Sequence, residues 1–99
     1  MVAIYVRTAT HDTEAAHQQI ESCMKEVGSA SLVLFQDFGV SGLSPNKPQL
    51  DLLISRVKLG GFKKIITLNH SRLSRNPLFV AKFVSDMDLL GAEVVFIEQ

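Results

Sequence analysis

His70-Ser71-Arg72-Leu73-Ser74-Arg75-Asn76 follows, after Asn69, on the apolar run Ile65-Ile66-Thr67-Leu68. A short β-rich run bounded by polar residues reads as a buried strand, so a strand over 65–68 delivers two arginines, three apart, to the segment beyond its carboxyl end. Tyr5-Val6-Arg7-Thr8-Ala9-Thr10 repeats the arrangement near the start of the chain, with a strand predicted over 2–6 and Arg7 at its end. Working outward from these two segments, strand and helix patterns alternate. Ala16, Ile20, Cys23, Met24 and Val27 recur at spacings of four and three, with Asp12 or Thr13 near the helix start and Gly28 as a C-terminal cap. A second strand is predicted over 32–35. Asp37-Phe38-Gly39-Val40-Ser41-Gly42 then reads as an irregular loop that extends through Pro45. Pro48 opens a helix with Leu50, Leu53, Ile54 and Val57 on one face, stopped by Gly60-Gly61. Pro77 suits the first turn of another, whose stripe of Val80, Phe83, Val84, Met87 and Leu90 ends at Gly91, before a fourth strand over 94–97.

This alternation predicts an α/β fold in three layers, a mainly parallel sheet of four or more strands with helices on both faces and right-handed crossovers. Ligands of such sheets bind beyond the carboxyl ends of the strands. Arg7, Asp37 and the segment 69–76 all follow strands, so they should meet along one edge. Periodicity and the crossover rule alone give this result.

The chain of 99 residues, 46% hydrophobic, suits one domain with a modest core. Ten Lys plus Arg balance ten Asp plus Glu, which excludes a global positive field, so any contact with nucleic acid must be local. The single cysteine, Cys23, falls in the apolar register of its helix. It reads as a buried, inert thiol, in keeping with a reducing compartment. The first residues lack a charged leader with an apolar segment, and no apolar run approaches roughly 18 residues, so a soluble cytoplasmic protein with no membrane partner is the expectation. His11, His17 and His70, even with Asp12, lack the spacing of a known metal site. Gly60-Gly61 and Gly39-x-x-Gly42 lack the P-loop lysine and the dinucleotide pattern. No metal or organic cofactor is implied. Lys58, Lys63 and Lys64 add positive charge that a solvated turn explains equally well.

A phosphodiester accumulates negative charge on its non-bridging and leaving oxygens during transfer, and fixed cations stabilise it. Arginine suits this role because its planar fork makes two parallel bonds to phosphate and never loses its charge. The bland alternative makes Arg7, Arg72 and Arg75 solvated surface residues, or partners of Asp37, Asp86 and Glu93. Three arginines converging on one predicted edge weigh against it.

These segments resemble the catalytic domain of the serine recombinases, the family of resolvases, invertases and integrases. Tyr5-Val6-Arg7-Thr8-Ala9-Thr10 is similar to the family's Tyr-x-Arg-Val-Ser-Thr, and Gln19 matches a glutamine of its first helix. Asp37 through Gly42 resembles Asp-x-Gly-Val-Ser-Gly. Asn46-Lys47-Pro48-Gln49-Leu50 resembles Asp-Arg-Pro-x-Leu, and Arg72-Leu73-Ser74-Arg75-Asn76 is identical to the family's segment. The resemblance spans nearly the whole chain. It implies that Arg7, Arg72 and Arg75 hold the scissile phosphate, that Lys47 adds a cation, and that Gln19, Asp37 and Ser41 support them. It also implies DNA strand cleavage and exchange through a phosphoserine intermediate.

The departures are as informative. Ala9 stands at the nucleophile position and has no hydroxyl, so that intermediate cannot form there. Loss of a nucleophile costs about a millionfold, roughly 8 kcal/mol of barrier. Ser71 stands at the family's aspartate, the group implied in proton transfer to the leaving oxygen, and Lys47 replaces an arginine. Three changes at separate catalytic positions suggest chemistry that has decayed. Thr8 and Thr10 carry hydroxyls beside Ala9 but point to different sides, and Ser74 reads as a polar loop or helix-start residue.

The leading expectation is thus a recombinase-type domain over 1–99 that keeps the phosphate site without cleaving. An active recombinase with an atypical nucleophile is one alternative. Another is a non-catalytic module of a mobile-element protein, kept for dimerisation or regulation. A flavodoxin-like small-molecule binder is more distant. Family members continue into a long helix for dimer and tetramer contacts and then a DNA-binding domain. The resemblance therefore implies a homo-oligomer for a longer protein, and weak, non-specific, salt-sensitive DNA binding for these residues.

Overall fold

A computed structural model describes residues 1–11 and 13–98. The chain forms β1 (Val2–Thr8), α1 (Thr13–Val27), β2 (Leu32–Phe38), α2 (Pro48–Lys58), β3 (Lys64–Thr67), the single turn α3 (His70–Leu73), α4 (Pro77–Leu89) and β4 (Glu93–Phe96). All seven residues of β1 are buried, because the strand is covered on both faces. Successive side chains alternate between two clusters. Val2, Ile4 and Val6 pack with Ala16, Cys23 and Val27 of α1. Ala3 and Tyr5 pack with Leu50, Leu53 and Val57 of α2 and with Val80, Phe83 and Met87 of α4.

The four strands are parallel in the order β2-β1-β3-β4. From β1 the chain steps outward to β2, then returns past β1 to β3 and continues to β4. Crossovers of one hand place the helix of the outward step on one face and those of the return steps on the other, as the two clusters show. The reversal leaves a crevice between the carboxyl ends of β1 and β3, where open α/β sheets bind ligands. The predicted α/β sandwich is therefore the observed fold.

The elements differ from their predicted bounds where a buried side chain is polar. β1 and β2 run past the apolar stretches 2–6 and 32–35, and Arg7 and Asp37 are register partners inside the ladder rather than loop residues. Hydropathy misses such positions, because the parallel neighbour supplies the backbone bonds whatever the side chain. β3 and β4 each begin and end one residue earlier than expected, and α3 is an element the sequence did not predict. Its four residues are too few for a periodic signal, and the turn is held by Asn69, whose Oδ1 accepts from the Arg72 amide. Gly28 follows α1 with φ at 66°, the left-handed geometry of the expected cap. Asp12, proposed near the start of α1, lies outside the described residues.

Cys23 is fully buried, and burial pushes its thiol up to about 11. Among the described residues no helix is long and apolar enough to cross a membrane.

Candidate functional site

The site grows from Arg7, which β1 carries into the crevice and which is 1% exposed. Its guanidinium meets backbone. Nε donates to the Arg72 carbonyl at 3.2 Å, Nη1 to the Val40 carbonyl at 2.9 Å and Nη2 to the Ser71 carbonyl at 2.7 Å. A one-turn helix leaves its last carbonyls without helical partners, and Arg7 satisfies two of them. Asn69 secures the other end, accepting from the Arg72 amide at 3.0 Å and from the Ser71 hydroxyl at 2.8 Å. α3 is thus capped at both termini, and it carries Arg72. The backbone of Arg7 is fixed from the opposite face by Gln19 of α1, whose Nε2 donates to the Arg7 carbonyl at 3.2 Å.

Asp37 sits beside Arg7 in the ladder but serves a different partner set. Its Oδ2 accepts from the Tyr5 hydroxyl at 2.8 Å and the Leu50 amide at 3.1 Å, and its Oδ1 from the Gln49 amide at 3.0 Å. It therefore caps α2 from a distance, in place of Lys47, which occupies the cap position without a capping bond. Burial pushes the Tyr5 hydroxyl pKa far above its usual range, and the bond to Asp37 adds to that.

The cations crowd one another. Burial lowers the pKa of Arg7, and the charges of Arg72 and then Arg75 lower it further. Lys47, 6% exposed, is lowered by burial first and by Arg7 second, against opposing contributions from Asp37 and Asp51. Its ammonium donates to the Ser44 carbonyl and lies 5.9 Å from the centre of the Phe79 ring. The three carboxylates named as rival partners for the arginines are engaged elsewhere. Asp37 holds Tyr5 and α2, Asp86 pairs with Lys82 at 2.6 Å, and Glu93 pairs with Lys64 at 3.9 Å. Arg72 keeps a buried Nε with no partner, and Arg75 is exposed. Among the described residues this cluster of positive charge has no ion pair to a carboxylate, an arrangement suited to an external anion.

Of the residues singled out in the sequence, Arg7, Gln19, Asp37, Lys47, Arg72 and Arg75 converge here. Ser41 is exposed, and its hydroxyl accepts from the Leu43 amide at 3.2 Å within its own turn. Ser71 meets Arg7 through its carbonyl rather than its hydroxyl. Ala9 is exposed on the bend just past β1. Thr8 is buried and donates to the Thr10 carbonyl at 2.6 Å, so its hydroxyl is engaged. Ser74 is a loop residue, and the helix-start role belongs to Asn76, which caps α4 through the Leu78 and Phe79 amides. Tyr5 and Asn69 lie within the segments singled out in the sequence, but neither was given a role there. The Asn69-x-x-Arg72 spacing of a helix cap was the available signal for Asn69, whereas Tyr5 is an ordinary core position until Asp37 is seen opposite it. His70 packs edge-on against Phe96 at 4.1 Å between ring centres, and among the described residues no three His, Cys, Asp or Glu side chains form a metal-binding group.

Comparison with known proteins agrees with this architecture. The family described as "Resolvase, N terminal domain" matches residues 2–99. A Bacillus subtilis (strain 168) protein named "Putative DNA recombinase" is 33% identical over 79 residues, which cover 76% of this chain and 16% of that protein. The chain thus spans about a sixth of that relative. Among solved structures, the N-terminal catalytic domain of TP901-1 integrase superposes with a TM-score of 0.88 at 23% identity, over 97% of this chain and 76% of that one. The C-terminal catalytic domain of ISC1926 TnpA, an IS607-like serine recombinase, gives 0.87 at 19% identity, over 98% and 70%. A resolvase family site-specific recombinase from Streptococcus pneumoniae gives 0.82 at 21% identity, over 97% and 70%. These likenesses are of fold.

Proposed function

The chain belongs to the resolvase N-terminal domain family, and from that premise we propose that it is a recombinase-type domain that grips a DNA phosphate without cutting the strand. The observation that carries this reading is the cation cluster at the crevice, which has no carboxylate ion pair among the described residues. Asp37, Asp86 and Glu93 are each bound to other partners, and Arg72 and Arg75 remain available. Arg7 has all three guanidinium nitrogens on carbonyls and is 1% exposed, so it contributes mainly its charge. Arg72 and Arg75 supply the principal contacts in this account, with Lys47 adding charge beneath them.

No cleavage is expected. The position matching the family's serine is Ala9, Thr8 holds its proton on the Thr10 carbonyl, and Ser71 directs its hydroxyl to Asn69. The family's phosphoserine ester therefore has no hydroxyl to form on at position 9. Residues 1–99 act in this reading as one catalytic-type domain whose affinity is electrostatic and independent of base sequence.

Fluorescence anisotropy with a 20-bp duplex of arbitrary sequence tests the grip. Binding that weakens with salt and is lost in Arg72→Ala/Arg75→Ala supports it. Binding that survives both substitutions would shift the reading to a protein-interaction module. A gel assay for covalent protein–DNA adduct, run with the wild-type chain and with Ala9→Ser/Ser71→Asp, tests the missing nucleophile. Adduct formed by the wild type would sink that part of the reading.

A further inference from the structure

Gly42 is buried, and its φ lies outside the left-handed region, so backbone conformation does not require glycine there. Space does. A Cβ added at Gly42 would stand 2.6 Å from Arg75 Cγ, 3.0 Å from Arg7 Nη2 and 3.1 Å from Arg75 Cδ. The Gly42 carbonyl also accepts from the Arg75 amide at 2.9 Å and from the Ser74 hydroxyl at 3.4 Å, so the β2–α2 loop and the arginine segment are fastened at this point.

The two neighbours of that missing Cβ differ in how they can respond. Arg7 is buried and anchored by three carbonyls from two segments. Arg75 is exposed, and its bond to Gly42 is made by the backbone amide and leaves the side-chain torsions unconstrained. A methyl group at position 42 therefore displaces Arg75 and leaves Arg7 in place.

We infer that Gly42 is a positioning residue of the anion site, its bare Cα setting the approach of the Arg75 stem to the Arg7 guanidinium so that both cations face one phosphate. This rests on the phosphate reading of the site. Gly42 touches no substrate in this account; it acts through Arg75.

The test is a double-mutant cycle on the full chain, with duplex affinity measured between 50 and 200 mM salt, roughly the range over which phosphate contacts are counted. Gly42→Ala is expected to weaken binding severalfold, by the same factor as Arg75→Ala, with each making the salt slope shallower by about one. The double variant should bind no more weakly than Arg75→Ala, because that substitution removes the Cγ and Cδ atoms a methyl would meet. If Arg75→Ala leaves affinity and slope unchanged, the phosphate reading itself fails. If Arg75→Ala weakens binding while Gly42→Ala does not, or the two factors multiply, the phosphate reading stands and the role given to Gly42 is overturned. Thermal melts cover a loss of fold. A Gly42→Ala chain that melts early should regain Tm when Arg75→Ala is added, and a double variant that melts just as early overturns the inference.

Discussion

At the scale of single residues, Arg7 does two jobs that a sequence motif cannot separate. Its charge belongs to the cation cluster, and its fork closes the end of α3 and holds Val40. Arg7→Ala should therefore cost about 2–3 kcal/mol in urea-monitored stability, because three carbonyls lose a charged donor. Arg7→Lys should recover little of it, since an ammonium cannot span the same three positions. Arg75→Ala, exposed, should leave stability nearly unchanged while weakening DNA binding, so the pair separates structure from binding. Asp37 shows the converse. The sequence marked it as a site residue, and its bonds are those of a helix cap and a tyrosine acceptor. Asp37→Ala is expected to lower stability by about 3 kcal/mol. Cys23 gives a pH test. Its thiol titrates near its ordinary 9.0 when unfolded and at about 11 when folded, so the folded state holds the proton longer. Its contribution to stability is full below about pH 9 and is lost as pH rises toward about 11. The buried Tyr5 hydroxyl, also raised, acts in the same direction. Urea midpoints across that window should fall, and less so in Cys23→Ala when each variant is compared with its own midpoint at neutral pH.

At the scale of elements, the strands were legible as short apolar runs and the long helices because their side chains repeat. The continuous apolar run of β1 and the three-four spacing of α1, α2 and α4 follow from a core on both faces of the sheet. What escaped has no period. α3 is one turn fixed by Asn69 and Arg7, contacts from far apart in the chain and from a single cap. The candidate site was legible as a meeting of strand ends, since topology alone brings 7, 37 and 69–76 together. Its wiring was not. That Arg7 would bond carbonyls, and that Asp37 would turn to Tyr5 and α2, depends on side-chain directions that only packing decides. Asn69→Ala should remove the N-cap of α3 and cost about 1 kcal/mol. Because that turn carries Arg72, the same variant should also lower duplex affinity. Hydrogen exchange of the Arg72 amide, faster in Asn69→Ala while the β1 amides stay protected, would localise the effect.

At the scale of the whole molecule, equal numbers of acidic and basic side chains leave no net attraction to a polyanion, and any DNA affinity must come from where the charges sit. The reversal of strand order between β1 and β3 places that positive cluster in the crevice at the sheet's carboxyl edge. With about three phosphate contacts, the logarithm of affinity should fall with the logarithm of salt at a slope of about −3, the same for duplexes of different sequence. The most direct test of the central claim is a crystal structure of the chain grown from sulfate. The account predicts one sulfate bound by Arg72 and Arg75 beside the Cβ of Ala9, with the Arg7 bonds to Val40, Ser71 and Arg72 kept. Arginines turned out to solvent or onto carboxylates, with no sulfate in the crevice, would contradict it.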